Sequence, residues 1–340
     1  MKAKGPYADF VEVGRAFACA VRESLRKWDD LPDDTIVFAY DTGALEIFEW
    51  SHEQGILCVL DQIDPNRVEV ELVRDEEKRW PGWTTRATEI PEEYFRRRER
   101  EWTLADRIMV NSEWSRKALV KQGVPAAKLM VIPLSYEATP GAITGQRDNE
   151  TNQRSEIGNR KSDQSLRVLF LGQVILRKGI QYLIEAARKL EKENIRFDVV
   201  GPIGISPDAV ASAPHNLTFH GQVTRDQTNT WYRKADLFVL PTLSDGFAIT
   251  QLEAMSHGLP VIATPCCGEV VSNGADGFII PPRDAHALAK TLLRYLAEPE
   301  LLRQQQQVAL AKAKQFTLDH LAENLIGLEA GLENRRQEIG

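Results

Sequence analysis

Ser244-Asp245-Gly246-Phe247-Ala248-Ile249-Thr250-Gln251-Leu252-Glu253-Ala254-Met255 decides the fold class of this chain. A short apolar run, Leu237-Phe238-Val239-Leu240-Pro241, precedes it, and a second, Leu259-Pro260-Val261-Ile262-Ala263, follows. The order reads as strand, Gly-containing turn, helix, strand. Asp245 falls in the turn and Glu253 inside the helix, two helical turns on. Such a turn presents unpaired backbone N–H groups and the positive end of a helix dipole. A carboxylate projecting from the helix can accept two hydrogen bonds from vicinal hydroxyls such as those of a ribose. The plainer alternative is an ordinary βαβ unit with surface carboxylates, because acidic residues are common at helix starts.

Working outward, Leu166-Arg167-Val168-Leu169-Phe170-Leu171-Gly172 reads as a buried parallel strand ending in Gly. Gln173-Val174-Ile175-Leu176-Arg177-Lys178-Gly179 follows, and then a helix with Ile180, Tyr182, Leu183, Ala186, Ala187 and Leu190 on one apolar face. Cations at a strand–loop–helix junction are placed to meet a diphosphate. Further strands end at Gly201 and near Gly221 and Gln222. Strands alternating with helices predict a parallel sheet covered on both faces, with ligands beyond the carboxyl ends of its strands. The Gly172, Gly201, Gly221 and Asp245 loops all lie at those ends.

Taken together, these stretches resemble the retaining glycosyltransferases of the GT-B fold, family 4 type (glycosyl transferases group 1). The resemblance runs from about Tyr94 to Leu328 and is densest from Leu166 to Pro282. Asp245 and Glu253 fill the family's E-x7-E signature, with Asp one methylene shorter than the usual first Glu. Lys178 matches the lysine of its G-R-x-x-x-x-K-G loop; Gln173 stands where the family has Arg, and Arg177 offers a second charge. Cys267-Gly268-Glu269 fills a shortened Gly-Gly-x-x-Glu turn. The resemblance implies two Rossmann-like doubly wound α/β domains and a nucleotide-sugar donor. It assigns Asp245, Lys178 and Arg177 to the chemistry. Gly172, Gln173, Gly201, Gln222, Gly246, Phe247, Ala248 and Glu253 become donor-binding residues. It implies transfer to a glycan or lipid acceptor with no cofactor and no metal, the leaving phosphate itself taking the acceptor's proton. The acidic pairs Asp29-Asp30 and Asp33-Asp34 read as solvated caps in a turn.

Composition agrees with a soluble globular chain. It has 340 residues, 43% hydrophobic and 27% charged, which suits two domains. No apolar run approaches the roughly 20 residues of a membrane span, and no signal peptide opens the chain. A net charge of −7 argues against a nucleic-acid partner. Cys19, Cys58, Cys266 and Cys267 show neither zinc nor disulfide spacing, which favours a reducing, cytoplasmic compartment. The polar, Gly/Asn/Ser/Gln-rich stretch from Gly141 to Ser165 reads as a flexible linker. The expected domains are therefore 1–140, acceptor-side, and 166–315, donor-binding, with a C-terminal helix over 316–340.

The N-terminal half is less readable. Strands are expected over Thr35–Tyr40, Ile56–Asp61, Arg107–Asn111 and Leu129–Pro133. Helices are expected over Tyr7–Trp28, Gly43–Gln54, Glu92–Ala105 and Glu113–Gln122. Glu76, Glu77, Trp80 and Trp83 read as part of a long polar loop, where the tryptophans stack on a sugar or anchor the surface. Arg96-Arg97-Arg98-Glu99-Arg100 reads as a solvated helix face. Asp61, Gln62 and Asp64 end a strand as acceptor-side candidates, with turn capping the alternative. The family's opening strand and Gly-rich loop find no counterpart, so this domain reads as incomplete. Phe10, Val13, Phe17, Val21 and Leu25 give the first helix one apolar face. That face is expected to cover the open side of the sheet or to pair with a second copy, and transfer is expected to be weak. The rival readings are a non-catalytic nucleotide-sugar or glycan-binding scaffold and, more remotely, a nucleotide-sugar epimerase of the same fold.

Overall fold

The computed structural model describes residues 6–28, 31–84, 90–137 and 165–327; residues 141–164 of the expected linker lie outside it. The chain divides into two compact units. The N-terminal unit takes the described residues through Val70, then 90–133 and 322–327. The C-terminal unit takes 71–84, 134–137 and 165–321. Residues 71–84 group with the C-terminal unit, although they precede the stretch near residue 140 in the chain.

The N-terminal unit opens with α1 (Pro6–Leu25), then β1 (Ile36–Tyr40), α2 (Leu45–Glu53) and β2 (Leu57–Gln62). After α3 (Arg67–Arg79) come α4 (Glu92–Leu104), β3 (Arg107–Val110), α5 (Glu113–Lys121) and β4 (Leu129–Val131). The four strands form one parallel sheet in the order β1-β2-β3-β4, which leaves β1 at an edge. Cys58, Leu60, Ile108, Val110 and Phe48 fill its core.

Of the two expectations for the first helix, the covering of the sheet fails: its large apolar stripe is not buried. The helix buries Val11, Gly14 and Ala18, and leaves Phe10, Val13 and Phe17 between 53% and 67% exposed. The reason is steric: a Cβ on Gly14 would stand 2.2 Å from the Thr42 carbonyl oxygen, so only the small-residue face fits so close to that backbone. The arginine run is not a solvated face either. Arg97 and Arg98 are buried. Arg98 pairs with Asp41 and Asp64, and Arg97 pairs with Glu46 while donating to the Thr42 carbonyl.

The C-terminal unit continues with β5 (Leu166–Leu171), α6 (Ile180–Lys189), β6 (Ile195–Val200), α7 (Pro207–Ala211), β7 (Leu217–Gly221), α8 (Arg225–Lys234) and β8 (Leu237–Leu240). It ends with α9 (Ile249–Ser256), β9 (Val261–Ala263), β10 (Gly277–Ile279), α10 (Ala285–Ala297) and α11 (Pro299–Ala313); a last helix covers residues 318–327, of which 322–327 group with the N-terminal unit. The six strands are all parallel, in the order β10-β9-β8-β5-β6-β7. From β5 the chain winds outward one way through β6 and β7, then returns and winds the other way through β8, β9 and β10. With right-handed crossovers this places helices on both faces. The strands β8 and β9 are continuous apolar runs, and Leu169, Phe170, Val199, Phe238, Val239 and Ile262 are all buried, as the centre of a sheet covered on both sides requires.

The supposed polar loop around Glu76 is the helix α3 and the turn after it. Glu76 is fully buried, accepts from Gln181 Nε2 at 2.8 Å and Tyr182 Oη at 2.7 Å, and pairs with Arg283 at 2.6 Å. Trp80 and Trp83 meet edge-on at 4.8 Å and pack against the C-terminal core, Trp80 also against Tyr182. The Trp83 carbonyl accepts from Ser206 N at 2.7 Å.

Candidate functional site

The strand order reverses between β5 and β8. In an open parallel sheet that switch point is where the loops beyond the strands part and leave a crevice. The loop after β5 carries Gly172, Gln173, Arg177 and Lys178; the loop after β8 carries Asp245, Gly246, Phe247 and Ala248. Beside β5, the end of β6 comes in at Gly201. A Cβ there would stand 1.9 Å from the Gly172 carbonyl oxygen, so the two loops touch backbone to backbone. Gly201 N also donates to the Gly221 carbonyl at 2.8 Å, which links the loop holding the exposed Gln222.

The β5 loop closes on a short 3-10 turn, Leu176–Lys178, and Gly179 then starts α6 with φ 76°. A Cβ on Gly179 would lie 1.9 Å from the Pro241 carbonyl oxygen, so glycine is required on both counts. Two bonds tie the two switch-point loops together. Leu243 N donates to the Arg177 carbonyl at 2.9 Å, and Arg177 Nη1 donates to the Ser244 carbonyl at 3.1 Å. Lys178 Nζ pairs with the Asp245 carboxylate, and each side chain is 14% exposed. No side chain caps α6 or α9 at the N-terminus. Two helix starts and two cations therefore converge at one end of the sheet, an arrangement that favours an anion.

The β9 loop holds the Asp245 turn in place. Asp245 N donates to the Cys266 carbonyl at 2.8 Å, and Ala248 N and Gln251 Nε2 donate to the Cys267 carbonyl at 3.2 and 2.8 Å. Gly268 is pressed on Phe247, whose ring is buried and also meets Phe316 at 6.2 Å. Phe247 can thus offer a ligand little beyond its backbone. Cys266 and Cys267 are buried, and burial pushes both thiols up, Cys266 to about 11, so both are structural. Glu253 projects from the second turn of α9, half-buried, and its Oε2 accepts from the Tyr232 hydroxyl at 2.7 Å. Sequence reasoning had no signal for Tyr232, which comes from a different helix.

In the N-terminal unit, Asp41, Asp61, Gln62 and Asp64 gather at the carboxyl ends of β1 and β2. Gln62 is fully buried: Nε2 donates to Asp41 Oδ2 at 2.8 Å and to the Asp64 carbonyl at 3.0 Å, and Oε1 accepts from Trp102 at 2.7 Å. Asp64 accepts from Arg98 and from Asn66 N, the latter at 2.7 Å. Gln62 and Asp64 therefore serve the scaffold. Asp61 is half-buried, and burial together with the neighbouring Asp41 carboxylate pushes it up to about 6. Glu101 accepts from the backbone N–H groups of Thr42, Ala44 and Leu45, and so caps α2 from a neighbouring helix. Burial pushes it up to about 7.

Residues 165–298 match the family model of the glycosyl transferases group 1. An uncharacterised glycosyltransferase of Methanocaldococcus jannaschii is 30% identical over 160 residues, 44% of this chain and 40% of the relative. The chain spans about half, or less, of the length of the curated relatives it matches first, at 40%, 51% and 46%. Sucrose-phosphate synthase from Thermosynechococcus elongatus superposes with a TM-score of 0.69 at 20% identity, covering 97% of this chain and 80% of that one. Anabaena HepE in complex with UDP gives 0.67 at 17% identity, covering 92% and 82%. These likenesses establish the fold as two parallel-sheet α/β units of the GT-B kind, and the matched segment places the switch-point loops within the glycosyl transferases group 1 pattern.

Proposed function

We propose that the chain is a retaining glycosyltransferase that takes its sugar from a nucleotide-sugar donor bound at the β5/β8 switch point. The observation that carries this reading is the convergence there of Lys178, Arg177 and the uncapped starts of α6 and α9, the second of which follows the Asp245 turn and carries Glu253. Arg177 and Lys178 neutralise the diphosphate as it leaves, stabilising charge that grows in the transition state. With that charge met by side chains, the reaction needs no metal. Asp245 holds the transferred sugar and Glu253 the ribose hydroxyls. The family match and the UDP bound to HepE support the donor class. The acceptor is a glycan or lipid hydroxyl whose proton passes to the leaving phosphate, and Asp61 is the acceptor-side candidate of the N-terminal unit. Four unpaired cysteines support a reducing, cytoplasmic site of action. Among the described residues no helix is long and apolar enough to cross a membrane.

A panel of UDP-, GDP- and ADP-sugars tests the reading by donor hydrolysis or transfer, with and without EDTA. Turnover of one donor that survives EDTA and is lost in Lys178→Ala is expected; absence of both binding and turnover with every donor contradicts it. The second reading, a non-catalytic donor-binding scaffold, draws on the Lys178–Asp245 pair, which already occupies the cation. Tight donor binding without any turnover distinguishes it. The reading also includes a homodimer through the N-terminal unit, because Phe10, Val13 and Phe17 stand exposed on α1, and Phe38 and Tyr40 on the edge strand β1. Phe17→Glu is expected to shift sedimentation from dimer to monomer; a monomeric wild type rules the pairing out.

A further inference from the structure

We infer that Tyr232 is a positioning residue for Glu253, setting the ribose selectivity of the nucleotide site. The inference rests on the reading of Glu253 as the ribose acceptor. Tyr232 lies in the last turn of α8, between β7 and β8, and its hydroxyl donates to Glu253 Oε2 at 2.7 Å. The phenol is 1% exposed. Burial and the facing carboxylate raise it well above its ordinary range, so the proton stays on Tyr232 and the bond has one direction. The ring cannot swing away. It stacks on His257 at 5.1 Å with 23° between planes and lies 6.1 Å from Phe238. His257 is itself tied to the same helix, its Nδ1 standing 2.8 Å from the Glu253 carbonyl, and burial lowers its affinity for a proton.

Glu253 is half-buried and has three side-chain torsions. Left alone, such a carboxylate samples several rotamers, and a ligand that orders it loses affinity to that ordering. A buried, rigid donor on Oε2 selects one rotamer beforehand and turns Oε1 toward its partner. The second oxygen then meets the vicinal hydroxyls already in position, as a supporting shell does for a binding group. Tyr232 never touches the nucleotide in this account; it acts through Glu253.

The experiment is calorimetric titration of UDP, GDP and ADP, and of their 2′,3′-dideoxy forms, into wild type, Tyr232→Phe, Glu253→Gln and the double variant. Wild type is expected to prefer the ribo form of one nucleotide. Tyr232→Phe keeps the ring stack, and is expected to lower that ribo affinity by about 3- to 10-fold, the range of one hydrogen bond. Binding of the dideoxy form should stay unchanged. In the Glu253→Gln background, adding Tyr232→Phe should change nothing further. Equal loss for ribo and dideoxy forms, or no loss at all, overturns the inference while the donor site stands. A wild type that binds the two forms alike overturns the ribose role of Glu253, and this inference with it.

Discussion

In the C-terminal unit the residues between sheet and helices are Leu169, Phe170, Val199, Phe238 and Leu252; in the N-terminal unit Asp41, Gln62, Arg97, Arg98 and Glu101 are buried as completely. The first interior is held by removal of apolar surface from water. The second is held partly by a network in which each buried charge needs its partner. The C-terminal unit buries Glu76 against Arg283 but also sets Arg177 and Lys178 at the sheet's open end, where a ligand can meet them. The N-terminal unit spends most of its charges on itself.

The sharpest way to break this contrast is to truncate one residue of each interior. Arg98→Met leaves Asp41 and Asp64 without their cation and is expected to destabilise the N-terminal unit by about 3–5 kcal/mol. The loss should shrink as pH falls, because protonating Asp41 removes the unpaired charge. Phe170→Ala should cost a similar ~3–5 kcal/mol in the C-terminal unit, with no dependence on pH. Urea unfolding of both variants at pH 4.5 and 7.5 checks this. Identical pH profiles would erase the distinction.

Next in size is Glu76→Ala. Glu76 comes from the N-terminal half of the sequence, yet it holds Gln181, Tyr182 and Arg283. Gln181 Nε2 also donates to the Leu176 carbonyl, so the network reaches the turn that carries Arg177 and Lys178. Removing the carboxylate is expected to cost the C-terminal unit about 2–3 kcal/mol. Amide exchange should quicken around residues 176–184. Protection lost only in the N-terminal unit would show that residues 71–84 are misplaced.

The smallest expected effect is a gain. Asp61 is raised from 3.8 to about 6 in the folded state, so its ionised form is penalised there. The penalty is absent below the unfolded value and grows as pH rises through the folded one. Asp61→Asn should therefore stabilise the N-terminal unit at pH 7.5 by about 1 kcal/mol, discounted for partial exposure. At pH 4 the gain should vanish. Glu101 has the same sign, its loss of stability falling between pH 4.5 and about 7.

Legibility in the sequence follows the same division. The strands β5, β8 and β9 announce themselves as apolar runs, and the loops between them carry Gly, Lys and Asp at readable spacings. The arginines of α4 gave no such sign, because periodicity marks apolar faces and a buried cation looks like a solvated one. The helix α3 is hidden for a related reason: its inward residues are Val68 and the charged Glu76, and the groups that donate to Glu76 lie more than 100 residues away. The α1 stripe is legible as apolar, whereas the face that approaches Thr42 is set by Gly14 and carries no periodic signal. Tyr232 reaches Glu253 only through the folded sheet.

The central claim is that the switch point between β5 and β8 is built for a nucleoside diphosphate. Calorimetric titration of UDP, GDP and ADP into wild type and Lys178→Ala tests it most directly. The account expects one of the three to bind wild type and Lys178→Ala to lose about 10- to 100-fold in affinity, the weight of one charge-assisted contact. Equal affinity of both proteins for every diphosphate, or binding of none, would contradict it.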